Sequence, residues 1–310
     1  MSDFAVIFPG QGSQSVGMLG SLADDYPVVR ATFDEASDAL GSDLWKLAAD
    51  GPAERLDQTE WTQPVMLAAD LAVWRSYREA GGAMPKAMAG HSLGEYAALV
   101  AAGSLGLADA VRVVQKRGQL MQTAVPEGTG AMAAVLGLDD DQVAEACRAT
   151  ADGAVVVPAN YNAPGQVVIA GEREAVERAV DACRDAGARR AMLLAVSVPA
   201  HSPLMQPAEK GLRSVLEQVE VRAPECPVLH NAGVAPRSDT EAIREALVLQ
   251  LTHPVRWTGT IRELSNLGAI RFLECGPGRV LSGLGRRIER GAEWLALEAS
   301  ETLVQAARSV

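Results

Sequence analysis

Apolar residues in this chain follow two rhythms. Short apolar runs closed by glycine or proline alternate with longer stretches whose apolar positions recur every three or four residues. The short runs "FAVIF" (4–8), "AMAG" (87–90) and "IRFLECGPG" (270–278) read as buried strands leading into turns, and "WLALE" (294–298) reads as a last strand. The longer stretches predict helices over about 28–40, 64–80 and 107–124, and another directly after Ser92, where Leu93, Tyr96, Ala97 and Val100 share one face. From about 203 the chain returns to longer helices. Strands separated by helices imply an α/β fold with a mostly parallel sheet covered on both sides.

Residues 128–198 have a different pattern. "AMAAVLGL" reads as a strand and "DDDQVAEACRATA" as a helix with acidic residues at its start. "AVVVPA" and "QVVIAG" read as strands joined by "NYNAPG". "EREAVERAVDACRDAG" is an amphipathic helix stopped at Gly187, and "RAMLLAVSV" is a final strand. The order βαββαβ is that of a ferredoxin-like unit, and about 70 residues suffice for a small inserted subdomain.

Composition narrows the picture. A chain of 310 residues, 48% hydrophobic, can fill one large domain or two intimate ones. Only 4% of residues are aromatic, so the core must be built mostly from Ala, Val and Leu. A net charge of −11 argues against bulk nucleic-acid binding. One basic cluster, Arg286, Arg287 and Arg290 in "GLGRRIERG", is either an ordinary solvated helix face or a dock for an acidic partner. The four cysteines (147, 183, 226, 275) are far apart and form no C-x-x-C pair, so buried thiols are expected and no metal site. No leader peptide and no bilayer-spanning segment is visible, which makes the cytoplasm the expected compartment.

The candidate chemistry centres on "GHSLG" (90–94). A short strand, a sharp turn and an immediate helix are what a nucleophile elbow needs, and its glycines permit the close approach of neighbours. Ser92 would stand near the positive end of the helix dipole; the plainer alternative is that it only caps the helix. A serine hydroxyl needs a base to take its proton. The histidines are His91, His201, His230 and His253. His91 adjoins Ser92, so its side chain should point away. His201 lies where the inserted unit rejoins the larger one, a place where clefts form, but spacing ranks it only slightly above His230. In the 107–124 helix, Arg117 sits on the shoulder of the apolar stripe Leu107, Val111, Val114 and Met121. A guanidinium there needs an anion: an internal carboxylate, or the carboxylate of a ligand.

Six stretches together resemble one family. "FPGQGSQ" (8–14), "GHSLGEYAAL" (90–99), "QKRGQLMQ" (115–122), "NAPGQVVIAG" (162–171), "VPAHSPLM" (198–205) and "QLTHPVRW" (250–257) are similar to the malonyl-CoA:acyl carrier protein transacylases of fatty acid synthesis, nearly end to end. The resemblance implies Ser92 as the acylated nucleophile, His201 as its base and Arg117 as the clamp on the malonyl carboxylate. It implies an oxyanion hole from the backbone N–H groups of Gln11 and Leu93, and Gln250 orienting His201 through its main-chain carbonyl. It also implies an α/β-hydrolase-like large domain (1–127 and 199–310) around a ferredoxin-like subdomain (128–198). The implied partners are malonyl-CoA and an acyl carrier protein that brings its own phosphopantetheine; the enzyme would carry no cofactor, bind no nucleic acid or membrane, and act as a monomer. The "VPAH" form looks more like malonyl-selective members than methylmalonyl-selective ones. The rival readings are a thioesterase of the α/β-hydrolase type, which shares G-x-S-x-G but usually places its histidine last, and a carrier-binding module without catalysis.

Overall fold

In the first strand, Phe4, Val6 and Phe8 face one core while Ala5 and Ile7 face another, and all five are fully buried. Burial on both faces is the mark of a parallel strand sandwiched between helices. The computed structural model describes residues 3–196 and 198–309; Met1, Ser2, Ser197 and Val310, which the expected domain and strand ranges include, lie outside the described residues. Among the described residues the strands are β1 (Phe4–Phe8), β2 (Ala87–Gly90), β3 (Gly130–Leu136), β4 (Val156–Ala163), β5 (Gln166–Glu172), β6 (Arg190–Leu193), β7 (Val228–Leu229), β8 (Arg271–Glu274) and β9 (Glu293–Ala296).

The larger sheet has the order β7-β2-β1-β8-β9, every pair parallel. Helices Pro27–Leu40, Thr59–Glu79, Gly94–Ala101 and Leu107–Thr123 cover one face, and helices Trp257–Asn266 and Val280–Ile288 cover the other. The second of these helices departs from expectation. It begins at Thr59 rather than about 64, because Thr62 and Gln63 are buried and bonded: the Thr62 hydroxyl donates to the Leu56 carbonyl at 2.5 Å. A polar first turn hides a helix start from hydrophobic periodicity.

The smaller sheet has the order β4-β5-β3-β6, every pair antiparallel. Helices Asp140–Thr150 and Arg173–Asp185 pack on one face over Ala133, Val135, Val167 and Ile169. The first is closed by a reciprocal cap between Asp139 and Gln142. Two expected boundaries shift here. β4 runs on through Ala163, so only Pro164–Gly165 remains of the expected loop, with Gly165 at φ 72°. The strand expected over 190–198 ends at Leu193, where the chain leaves the sheet and Leu194, Val196 and Val198 line a cleft instead.

Strand β4 of the smaller sheet is stitched to the segment leading into the helix Trp257–Asn266, which covers the larger one. Tyr161 N–H donates to the Val255 carbonyl and Val255 N–H to the Ala159 carbonyl, each at 2.9 Å. The cysteines are all buried free thiols.

Asp70, on the long helix Thr59–Glu79, is fully buried with neither carboxylate oxygen hydrogen-bonded among the described residues. Burial, and secondarily the nearby Glu274 carboxylate, push its carboxyl well above the usual range. The unfolded chain ionises Asp70 near 3.8 and the folded chain resists, so stability falls as pH rises from that value toward the raised one. Asp70→Ala is expected to stabilise the fold at neutral pH by about 1–3 kcal/mol, less the cavity it leaves, and to flatten that slope. Denaturant midpoints at several pH values measure both.

Candidate active site

The carboxyl ends of β1, β2 and β8 point the same way, and each runs into a glycine-containing loop: "PGQG", "GHSLG" and "CGPG". In open α/β sheets this edge is where ligands bind. A cleft of about 260 Å³ lies there, between the parallel sheet and the wall of the small sheet, and Gln11, Ser92, Leu93, Arg117 and His201 all line it.

The turn that presents Ser92 depends on absent side chains. A Cβ on Gly90 would stand 1.8 Å from the carbonyl carbon of Gly94, and one on Gly94 would stand 2.2 Å from the Phe8 carbonyl oxygen. The strand and the helix therefore cross at van der Waals distance, and Ser92 between them is forced to φ 53°. This is a strained left-handed position for a residue with a side chain.

Ser92 Oγ lies 2.8 Å from His201 Nε2. His201 Nδ1–H donates to the Gln250 carbonyl oxygen at 2.7 Å, which leaves the lone pair on Nε2 to accept the serine proton. The carbonyl stands where a triad would place a carboxylate. His201 is 3% exposed, and burial together with the positive charge of Arg117 lowers its pKa to about 3, opposed by the bond to the carbonyl. It is a neutral base across the physiological range. The other histidines are used elsewhere. His91 also lines the cleft but is bonded to Asn162, Nε2 2.8 Å from Oδ1, and is edge-on to Trp257; His230 is buried against Glu95 at 2.7 Å; His253 is exposed.

Arg117 is 1% exposed and has no salt bridge among the described residues. Its guanidinium is held by neutral groups: Nη1 donates to Gln63 Oε1 at 2.9 Å, Nη2 to Gln250 Oε1 at 2.8 Å and, more distantly, to Ser92 Oγ at 3.4 Å. The Tyr96 ring lies 5.7 Å away, and Nε has no hydrogen-bond partner among the described residues. The nearby Glu95 acts on it only through space. The internal carboxylate allowed for in the sequence is not bonded to it, so a buried cation faces the Ser92 hydroxyl with its charge uncompensated by contact.

The main-chain N–H groups of Gln11 and Leu93 make no internal hydrogen bond among the described residues. Gly10 lets the first loop approach: a Cβ there would sit 2.5 Å from the His91 carbonyl oxygen and 3.7 Å from Leu93 N. Two free donors facing a cleft beside a nucleophile suit an oxyanion. Arg286, Arg287 and Arg290 are exposed, on and just beyond the helix Val280–Ile288, whose first turns also line the cleft. Two of them are partly spoken for: Arg287 donates to Gln166 Oε1 and the Pro164 carbonyl, and Arg286 Nη2 donates to the Trp294 carbonyl at 3.1 Å.

Sequence reasoning missed Gln63, Glu95, Asn231 and Asn162. Gln63 lies just before the helix expected from about 64, in the polar first turns of the observed one. Glu95 and Asn231 hold other residues rather than the cleft, and only the "HNAG" that follows β7 hints at a built turn.

A serine bonded to a histidine that in turn meets a backbone carbonyl, beside a buried guanidinium on this two-sheet frame, fits an acyl transferase, and the acyl transferase domain model matches residues 5–290. The chain is 55% identical to the malonyl CoA-acyl carrier protein transacylase of Salmonella typhimurium over 93% of each, and 42% identical to that of Bacillus subtilis over 98% of this chain and 96% of the relative. A solved malonyl-transacylase in complex with a type II PKS acyl-carrier protein superposes with a TM-score of 0.98 at 53% identity over the whole of both chains. The transacylase of Coxiella burnetii gives 0.98 at 48%, covering 99% of this chain and 97% of that one. The chain belongs to the malonyl CoA-acyl carrier protein transacylase family.

Proposed function

We propose that this protein moves a malonyl group from malonyl-CoA to the phosphopantetheine thiol of an acyl carrier protein, supplying fatty acid biosynthesis through a malonyl ester on Ser92. His201 Nε2 takes the Ser92 proton as Oγ attacks the thioester carbonyl. The N–H groups of Gln11 and Leu93 receive the oxyanion; losing one such donor typically costs about 2.7–4 kcal/mol. The intermediate collapses, the C–S bond breaks, and His201 returns the proton to the CoA thiolate. The carrier thiol then gives its proton to His201, attacks the ester carbonyl and expels the Ser92 alkoxide, which takes the proton back. Arg117 grips the distal carboxylate throughout.

The observation that carries this reading is the buried guanidinium with only neutral partners 3.4 Å from the nucleophilic oxygen. Such a group favours an acyl chain that ends in a carboxylate. Intact-mass spectrometry of the protein after brief exposure to malonyl-CoA tests it. An adduct of malonyl mass is expected, discharged by a holo carrier protein; a protein that stays unmodified overturns the reading.

The state of His201 makes a further expectation. Because its pKa is near 3 in the free enzyme, kcat/KM for acylation should stay level as pH falls through 6.5 and decline only toward about 3. An acid limb centred on 6.5 would contradict this. Stability carries the same sign: the unfolded chain takes up the proton below 6.5, so the contribution present above 6.5 is lost as pH drops toward about 3.

Arg286, Arg287 and Arg290 form the proposed dock for the acidic carrier. Reversing Arg286 and Arg290 to Glu, which leaves the Arg287 tether intact, is expected to raise the apparent KM for carrier protein several-fold, on the order of what a lost rim charge does. The KM for malonyl-CoA should not move, and initial rates with each substrate varied check both.

The element order βαββαβ with strand order β4-β5-β3-β6 supports a ferredoxin-like reading of 128–198, and the strand–elbow–helix on a parallel sheet supports an α/β-hydrolase-like reading of 1–127 and 199–310. As written, the reaction needs no resident cofactor or metal. No helix among the described residues is long and apolar enough to cross a membrane; a cytoplasmic, monomeric enzyme is part of the proposal.

A further inference from the structure

The geometry points to Asn231 as a positioning residue for the nucleophile, anchored by a buried carboxylate, Glu95, that also anchors the support of the base. Asn231 lies in the turn after β7 and is 1% exposed. Its Oδ1 accepts from Ser92 N–H at 2.7 Å, and its Nδ2 donates to the Gly90 carbonyl at 2.6 Å. One carboxamide thus spans the elbow from the last strand residue to the serine. It uses a donor and an acceptor at once and at every pH, whereas an aspartate of the same shape does so only while protonated. A left-handed φ at a serine persists only where its surroundings over-determine it.

Glu95, fully buried, ties this clamp to the rest of the site. Its Oε2 accepts from Asn231 N–H at 2.9 Å and from Gln250 Nε2 at 2.9 Å, and its Oε1 lies 2.7 Å from His230 Nδ1. Gln250 Nε2 also donates to the Ser92 carbonyl at 3.0 Å. The N–H and C=O of Ser92 are therefore each held by a carboxamide, and Glu95 holds both residues: Gln250 by that carboxamide and Asn231 by its main-chain N–H. Gln250 in turn meets Arg117 and, through its backbone, His201. The turn that delivers Asn231 is itself strained: Val234, four residues past His230 and bonded back to its carbonyl at 2.9 Å, has φ 50°, a costly conformation for a β-branched residue. Asn231 does not line the cleft and touches no acyl group. It acts by holding Ser92 Oγ toward His201 and Leu93 N–H toward the oxyanion.

This inference rests on Ser92 carrying the malonyl group, so the wild-type malonyl adduct is measured first; its absence sinks that reading and not the clamp alone. Pre-steady-state acylation is then compared across variants whose melting curves show a native fold. Asn231→Ala is expected to lower the maximal acylation rate on the order of 10²-fold, as a displaced reacting atom does, with the half-saturating malonyl-CoA concentration within about two-fold of wild type. Asn231→Asp keeps the shape and keeps the test open should the alanine variant fail to fold. It gains a pH dependence that the wild type lacks, losing rate as pH rises and the carboxyl loses the proton it donates to the Gly90 carbonyl. An alanine variant that acylates at the wild-type rate, or an aspartate variant whose profile parallels wild type, overturns the role of Asn231.

Discussion

Ser92→Ala is expected to leave a folded protein that forms no malonyl adduct and transfers malonyl groups at least about 10⁴-fold more slowly than wild type, the scale of loss when a nucleophile is removed from a covalent mechanism. The substitution deletes one oxygen. Backbone strain at φ 53° is common to both residues, and the main-chain bonds of residue 92 to Asn231 and Gln250 do not involve the hydroxyl. The lost contacts are the 2.8 Å bond to His201 and the longer one from Arg117 Nη2 at 3.4 Å. Unfolding midpoints should therefore barely move while the adduct disappears. A variant that still acquires malonyl mass would place the nucleophile elsewhere, and no other hydroxyl is in hydrogen-bond reach of the His201 ring among the described residues.

Arg117→Ala should separate substrates rather than abolish chemistry. Truncating one partner of a buried charge pair typically costs about 2–5 kcal/mol, so malonyl transfer should fall on the order of 10²-fold or more. Acetyl transfer, which has no carboxylate to grip, should be spared or improved. The same substitution removes a positive charge that lowers the pKa of His201, so the acid limb of the acylation profile should move up from about 3. Parallel acylation rates with malonyl-CoA and acetyl-CoA across pH measure both effects. Equal losses for the two acyl groups would make Arg117 a structural cation. Lysine is not expected to substitute, since Gln63 and Gln250 are met by separate nitrogens of a planar fork.

What could be read from the sequence divides along a physical line. Buried strands such as Phe4–Phe8 and amphipathic helices such as Arg173–Asp185 announce themselves because their environment is apolar on a regular period. Ser92 stood out because a short strand, a sharp glycine-flanked turn and an immediate helix surround it, with a plain helix cap as the alternative. The choice between His201 and His230 could not be made by spacing, since both follow strands; the family resemblance ranked them, and the 2.8 Å contact agrees. Gln63, Glu95 and Asn231 were invisible for a different reason. Their partners lie 54, 136 and 139 positions away in the chain, and a buried polar residue satisfied by distant groups leaves no local pattern. The same cause hid the start of the helix Thr59–Glu79 and the true length of β4, where polar side chains face the site instead of solvent.

The acceptor that aligns the imidazole belongs to the chain's path and not to any side chain. Every amino acid at position 250 brings a carbonyl, so point mutation there can weaken the neighbours that Gln250 braces but cannot erase the alignment itself. In a carboxylate triad, one substitution in a codon disarms the third member. Here that failure requires an insertion, a deletion or a proline nearby that reroutes the backbone after the helix Thr240–Leu249.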